Sequence, residues 1–222
     1  MTPARYRKLR RVLDRRQPDL TLLTENVHKS HNISAILRTA DAVGIYEAHA
    51  ISEGGEVPRH HMASAGSRKW VEIRPHRDLG SALRHLRSAG HQILAAHFSD
   101  TAVDFRDIDY TGPTAILLGS ELWGVSREAA DSADRHIVIP MEGMVASLNV
   151  SVATALILYE AQRQRQAAGL YEQSRLDPEL HRQKLFEWCY PEVADQLRRE
   201  GRPYPELDEE GYLPAGSGSG YA

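Results

Sequence analysis

Residues 115–159, AILLGSELWGVSREAADSADRHIVIPMEGMVASLNVSVATALILY, decide the fold. Two short apolar runs, Ala115–Gly119 and His136–Ile139, each end in a loop, and a stretch of helical composition separates them. Short strands alternating with helices are the mark of a parallel sheet covered by crossover helices. Working outward, the same alternation predicts strands near Leu20–Glu25, Glu47–Ile51, Val71–Arg74 and Gln92–Ala96, with helices in the gaps. Ile33, Ile36, Leu37 and Ala40 share one helical face, with Asn32 suited to the start and Gly44 to the stop. Asp78 to Ala89 reads the same way, with Leu83 and Leu86 inward and Gly90 ending it.

The run from Leu148 to Tyr159 differs, because its apolar residues occur all around the helix. Such a helix must be buried on several sides. A sheet covers one of them, and a second copy of the chain is the natural cover for another, so a homodimer is expected. At 222 residues the chain fits one α/β domain with appendages. The divisions expected are a basic helical extension over 1–18, the α/β domain over 19–166, a helical extension over 167–205 and a disordered tail over 206–222.

Hydrophobic content of 41% and charged content of 26% are ordinary for a water-soluble domain. No run approaches the length of a membrane span, and the basic N-terminus leads into Leu9, Val12 and Leu13 at helical spacing, so no membrane partner and a cytoplasmic location are expected. Cys189 is the only cysteine, which excludes an intramolecular disulfide or a thiolate cluster within one chain. His28 and His31 flank Lys29 with no acidic or sulfur partner in reach by sequence, so no metal is expected. The net charge of −3 hides an uneven distribution. Arg5, Arg7, Lys8, Arg10, Arg11, Arg15 and Arg16 face only Asp14 within the first sixteen residues, a cationic arm suited to a phosphate backbone.

The common nucleotide signatures are missing. No strand is followed by G-x-G-x-x-G, and Gly119-Ser120-Glu121-Leu122-Trp123-Gly124 continues with Val125 and Ser126 where a P-loop would need lysine and a hydroxyl residue. What remains is a pair of loops at the carboxyl ends of the two strands read first, where parallel sheets bind ligands. The second, Pro140 to Ser147, offers apolar walls, flexible backbone and the start of a buried helix, which would suit adenosine; its plain alternative is a strand-to-helix connection capped by Ser147.

Three segments taken together are far more specific than any one. Asn32-Ile33-Ser34-Ala35-Ile36-Leu37-Arg38-Thr39-Ala40, Gly119 to Gly124, and Ile139-Pro140-Met141 through Ser147-Leu148-Asn149 to Ala153 resemble the three motifs of the SpoU, or SPOUT-class, RNA 2′-O-methyltransferases, in that family's order and spacing. The resemblance reaches about Pro205, and both flanks look like those of the members that methylate guanosine 18 in the tRNA D-loop. It implies a C-terminal deep trefoil knot, S-adenosyl-L-methionine as methyl donor, tRNA as substrate, and a homodimer that completes the active site.

Carried over by position, the resemblance implies cofactor contacts from Ala96, Gly119, Glu121, Ile139, Met141, Leu148 and Asn149. Arg38 becomes the central catalytic residue, with Asn32, Ser147 and Asn149 positioning the loops, Arg38 or the substrate. Ala96 stands where the family pattern has threonine, so it offers no side-chain hydrogen bond. Arg163 and Arg165 are expected to help the N-terminal arm hold RNA. A relative acting on another tRNA or rRNA site, and a non-catalytic RNA-binding module, stay open as alternatives.

Overall fold

The computed structural model describes residues 1–52 and 69–214. The chain divides into two compact units, Gln17–Leu170 and Met1–Arg16 with Tyr171–Ala222.

The larger unit is a seven-stranded, wholly parallel sheet. Its strands are β1 (Leu20–Thr24), β2 (Glu47–Ile51), β3 (Glu72–His76), β4 (Gln92–Ala96), β5 (Val103–Asp104), β6 (Thr114–Leu118) and β7 (Arg135–Val138), in spatial order β3-β2-β1-β6-β4-β7-β5. β6 shows why these residues make strands buried on both faces. Ile116 and Leu118 enter one apolar cluster with Leu20, Leu22, Ile33, Ile36, Leu37, Ile157 and Leu158, while Ala115 and Leu117 enter a second with Leu23, Leu79, Leu83, Leu86 and Ile93. A period of two sends neighbouring side chains to opposite faces, and both faces need helical cover.

That cover comes from α2 (Ser30–Ala42) and α5 (Val150–Ala167) on one face and α3 (Leu79–Ser88) and the short α4 (Arg127–Asp131) on the other. α3 begins with a reciprocal cap: Asp78 Oδ1 accepts from Ser81 N at 2.6 Å, and Asp78 N donates to Ser81 Oγ at 3.3 Å. Gly44 and Gly90 follow α2 and α3 with φ of 84° and 81°, the left-handed stop read from sequence. Asn32 does not begin α2: the helix starts earlier, after Lys29, which gives no side-chain cap, and leaves Asn32 free for another task. Ser147 is not a cap either, since α5 is capped by Asn149, whose Oδ1 accepts from Ser151 N at 2.8 Å.

β5 is a strand the sequence pattern missed, being two residues long. It follows β4 by six residues, yet β7 lies between them, bonded to β4 through Leu94–Ala96 and to β5 through Val103–Asp104. Segment 97–102 therefore steps across β7, and His97 N donates to Ile137 O at 3.2 Å on the way.

α5 buries Thr154, Ile157, Leu158, Ala161 and Arg165 but leaves Val152, Leu156 and Tyr159 exposed, at 47%, 42% and 54%. A single chain thus covers only part of the all-round apolar surface read from sequence. Arg165 corrects the expectation of an RNA contact. It is 0% exposed, and its five N–H donors are all taken: Nε by Tyr110 O at 2.8 Å, Nη1 by Asp19 Oδ1 at 2.7 Å and Gln17 Oε1 at 3.1 Å, Nη2 by Gly112 O at 2.7 Å and Asp19 O at 3.3 Å.

The smaller unit brings together the two flanks that the sequence treats as separate extensions. α1 (Pro3–Asp14) buries Tyr6, Leu9 and Leu13, and it packs on α6 (Pro178–Cys189), which α7 (Pro191–Glu200) follows. His181 Nε2 lies 2.8 Å from Asp14 Oδ1, and the buried Arg16 sits 5.3 Å above the Trp188 ring. Arg16 is a second correction: at 0% exposure it cannot meet a phosphate backbone. Arg5, Arg7, Lys8, Arg10, Arg11 and Arg15 are exposed, as is Arg163, which pairs with Glu160 at 2.7 Å. The expected disorder over 206–222 does not hold for 206–214. Leu207 and Leu213 pack on Phe186, Ala194 and Leu197, and Tyr190 Oη donates to Gly211 O at 2.9 Å, anchors that the surrounding acidic residues mask in the sequence; 215–222 lie outside the described residues.

Replacing Arg165 with methionine is expected to cost about 3–5 kcal/mol in urea unfolding, because the Asp19 carboxylate and three carbonyls would lose a buried partner.

Candidate active site

A cavity of about 430 Å³ opens at the carboxyl ends of the neighbouring strands β6, β4 and β7. Each strand hands residues at or past its end to the wall: Ala96, which ends β4, with His97 and Phe98 after it, Gly119 to Leu122 after β6, Ile139 and Met141 after β7. The approach to α5 supplies Ser147, Leu148 and Asn149. Eight of the residues singled out from sequence, Ala96, Gly119, Glu121, Ile139, Met141, Ser147, Leu148 and Asn149, therefore surround one hollow. Its floor is apolar, with Leu118, Ile137 and Ile157 beneath.

Asn32 does not line this hollow but links its walls. Its Nδ2 donates to Glu121 Oε1 at 2.9 Å, and its Oδ1 accepts from Asn149 Nδ2 at 3.1 Å. Asn149 Oδ1 in turn accepts from Ser151 N and Oγ at 2.8 and 2.6 Å. Residues from three distant segments thus form one polar relay, with Asn32 1% exposed at its centre. Glu121 also accepts from Lys29 N at 3.1 Å. Partial burial alone would raise the Glu121 pKa, but the bonds from the Asn32 amide and from backbone N–H groups outweigh it and hold the carboxyl below its ordinary value. Glu121 is accordingly an anchored carboxylate at neutral pH.

The 119–126 loop is closed by three devices. Ser120 and Gly124 exchange two backbone bonds of 2.9 Å. The buried Glu25 accepts from Ser126 N at 2.9 Å and Ser126 Oγ at 2.8 Å. Gly119 lets the loop fold onto itself, since a Cβ there would lie 2.0 Å from the Gly124 carbonyl carbon. Sequence reading missed the Glu25–Ser126 clamp, for which no periodic signal exists. It also missed His97 and Phe98, although their place just past a parallel strand was a usable signal.

Arg38 lies elsewhere. It is exposed on α2, outside the cavity wall of its own chain, and makes no hydrogen bond or ion pair with any described residue.

A parallel sheet with a ligand-sized hollow at its carboxyl edge, built from three loops tied by one amide, defines the class, and family comparison places it: the chain belongs to the SpoU rRNA methylase family, whose model matches residues 19–159, with the family's C-terminal model matching 163–216. It is 54% identical over 217 residues to the tRNA (guanosine(18)-2′-O)-methyltransferase of Escherichia coli K12, covering 97% of this chain and 95% of that one. Among solved structures it is similar to the A. aeolicus TrmH/SpoU tRNA modifying enzyme, at 44% identity and a TM-score of 0.76, covering 86% of this chain and 97% of the other. It is also similar to the SpoU methyltransferase AviRb from Streptomyces viridochromogenes in complex with AdoMet, at 30% identity and a TM-score of 0.60, covering 68% and 62%.

Gly119→Ala is expected to leave the sheet folded but force the 119–124 loop open, weakening binding of an adenosine-bearing ligand by about tenfold or more in calorimetry.

Proposed function

We infer that this chain methylates the ribose 2′-hydroxyl of guanosine 18 in tRNA, with S-adenosyl-L-methionine as methyl donor. The observation that carries the reading is that the buried Asn32 ties together Glu121 and Asn149, two residues that line one apolar-floored cavity. The activity named for the E. coli relative and the AdoMet complex of AviRb support it.

The cavity suits the donor on its own chemistry. Ile139, Leu148 and Leu118 offer apolar surface to a planar base, and the folded-back loop at Gly119 brings backbone groups close. When bound, S-adenosylmethionine supplies a methyl carbon made electrophilic by its sulfonium. The chain's residues hold, orient and exclude water: the Asn32 relay fixes both loops, and Ser147 and Asn149 face the space where a ribose would enter. The lodging of β7 between β4 and β5 supports the knotted arrangement expected for the family.

Arg38 acts across a dimer. The exposed stripe of Val152, Leu156 and Tyr159 on α5 gives a second copy an apolar face to cover, and Arg38, which pairs with none of the described residues of its own chain, enters the cavity of that copy. A guanidinium is a planar fork of N–H donors with no acceptor, so the role assigned to Arg38 is to grip the substrate phosphate and stabilise the emerging oxyanion. The exposed Arg5, Arg7, Lys8, Arg10, Arg11 and Arg15 hold the tRNA backbone, with Arg163 assisting, in the cytoplasm where tRNA is found.

Incubation with labelled S-adenosylmethionine and unmodified tRNA, followed by mass spectrometry, is expected to place one methyl on the ribose of guanosine 18; methylation elsewhere or none overturns the assignment. Arg38→Ala should bind S-adenosylmethionine normally and transfer nothing. Mixing it with inactive Asn149→Ala should restore turnover that neither has alone, and failure of mixed dimers to recover any would place Arg38 in its own chain's site.

Exchanging Arg7, Lys8, Arg10 and Arg11 together for glutamine is expected to weaken tRNA binding and flatten its salt dependence, by about 0.7–0.9 in log–log slope for every phosphate no longer neutralised. Tyr6, Leu9 and Leu13 stay to hold α1, so S-adenosylmethionine binding should not change.

A further inference from the structure

Four residues at the β3–β2 edge of the sheet play no part in the cavity. Glu47 and His49 lie two apart on β2, His76 ends β3, and His85 comes from α3. Their rings crowd together, with centroids 5.1 Å apart for His49 and His76, 5.4 Å for His49 and His85, and 5.5 Å for His76 and His85. His49 is 4% exposed. Its Nδ1 lies 2.8 Å from His76 Nε2, and its Nε2 lies 3.7 Å from Glu47 Oε2. The His85 ring nitrogens make no hydrogen bond with any described residue. One donor atom each from Glu47, His49 and His85 lies within 4.8 Å of the other two.

We propose that Glu47, His49 and His85 bind a divalent transition-metal ion of the zinc class, with His76 orienting His49 from behind. Two imidazoles and a carboxylate match the nitrogen-rich donor sets that zinc takes in preference to magnesium or calcium. The tautomer also fits. A proton on His49 Nδ1, donated to His76 Nε2, leaves the Nε2 lone pair on the Glu47 side, so the His76 imidazole takes the outer place that a carboxylate, carbonyl or water commonly fills behind a ligating histidine. Bond lengths of about 2.0–2.1 Å in a tetrahedron need donors roughly 3.4 Å apart, so separations of up to 4.8 Å must contract by up to about 1.4 Å. Glu47 and His85 are only partly buried and can make that movement by rotation, while His49 and His76 stay packed. Arg74, whose Nε lies 3.0 Å from Glu47 Oε2, balances the carboxylate in the metal-free chain and shares or yields it on binding. Solvent water fills the fourth position on the Glu47 side. The ion would join β2, β3 and α3 at the sheet's edge, a structural clamp separate from the chemistry.

The test uses the full-length chain, stripped with chelator and titrated with zinc chloride by calorimetry, with thermal melts alongside. Wild type is expected to take up one zinc per chain and melt at a higher temperature with zinc than without. His85→Ala and Glu47→Gln, on partly exposed side chains, should keep the wild-type circular dichroism yet bind zinc about tenfold or more weakly, and lose the shift in melting. His31→Ala should bind as wild type. Cobalt in place of zinc should give the intense visible absorption of a tetrahedral site in wild type and lose it in His85→Ala. No stoichiometric uptake by wild type, or equal affinity in the folded His85→Ala and Glu47→Gln variants, overturns the site.

Discussion

One carboxamide holds the site together. Asn32 is buried within a helix, where its side chain would ordinarily compete with the backbone, and instead gives its N–H to Glu121 and its carbonyl to Asn149. Aspartate in that place could not donate, and leucine could do neither. Because a buried amide left half satisfied costs about 1–3 kcal/mol, the loops on either side are fixed by the need to meet it. The cavity therefore owes its shape to polar satisfaction as much as to its apolar floor.

The same logic governs the far side of the larger unit. Arg165 spends its whole guanidinium on the carbonyls of Tyr110, Gly112 and Asp19, the Gln17 side-chain oxygen and the Asp19 carboxylate. It gathers the end of α5, the turn before β6 and the entry to β1. In sequence it looked like one more cation beside Arg163. Nothing in local composition separates a fork that faces solvent from one that closes a core, since the difference lies in partners more than fifty residues away.

Much of the fold was legible because its strands are buried on both faces and end in recognisable stops. β2 and β4 have the bounds the alternation indicated, and the others differ by one or two residues. β5 was invisible, as two residues carry no period. The cavity was legible through the carboxyl ends of β6 and β7 and through the three motifs, which together named eight of its lining residues. Arg38 and the cationic arm show the opposite limit. Sequence located the charge, but Arg16, just past the end of α1, turned inward onto Trp188 while Arg15 and the cations of α1 stayed in water, a choice set by a C-terminal partner on α6.

The seating of β7 carries a consequence for assembly. A strand that must settle between two segments already joined by six residues cannot be recruited by simple zippering along the chain. The walls after β4 and β7 come into register only once that insertion is complete, so a chain still short of its last strand has a hydrophobic nucleus but no pocket. Ligand affinity then reports on that insertion, and a molecule that fills the finished hollow would favour the chain with β7 in place.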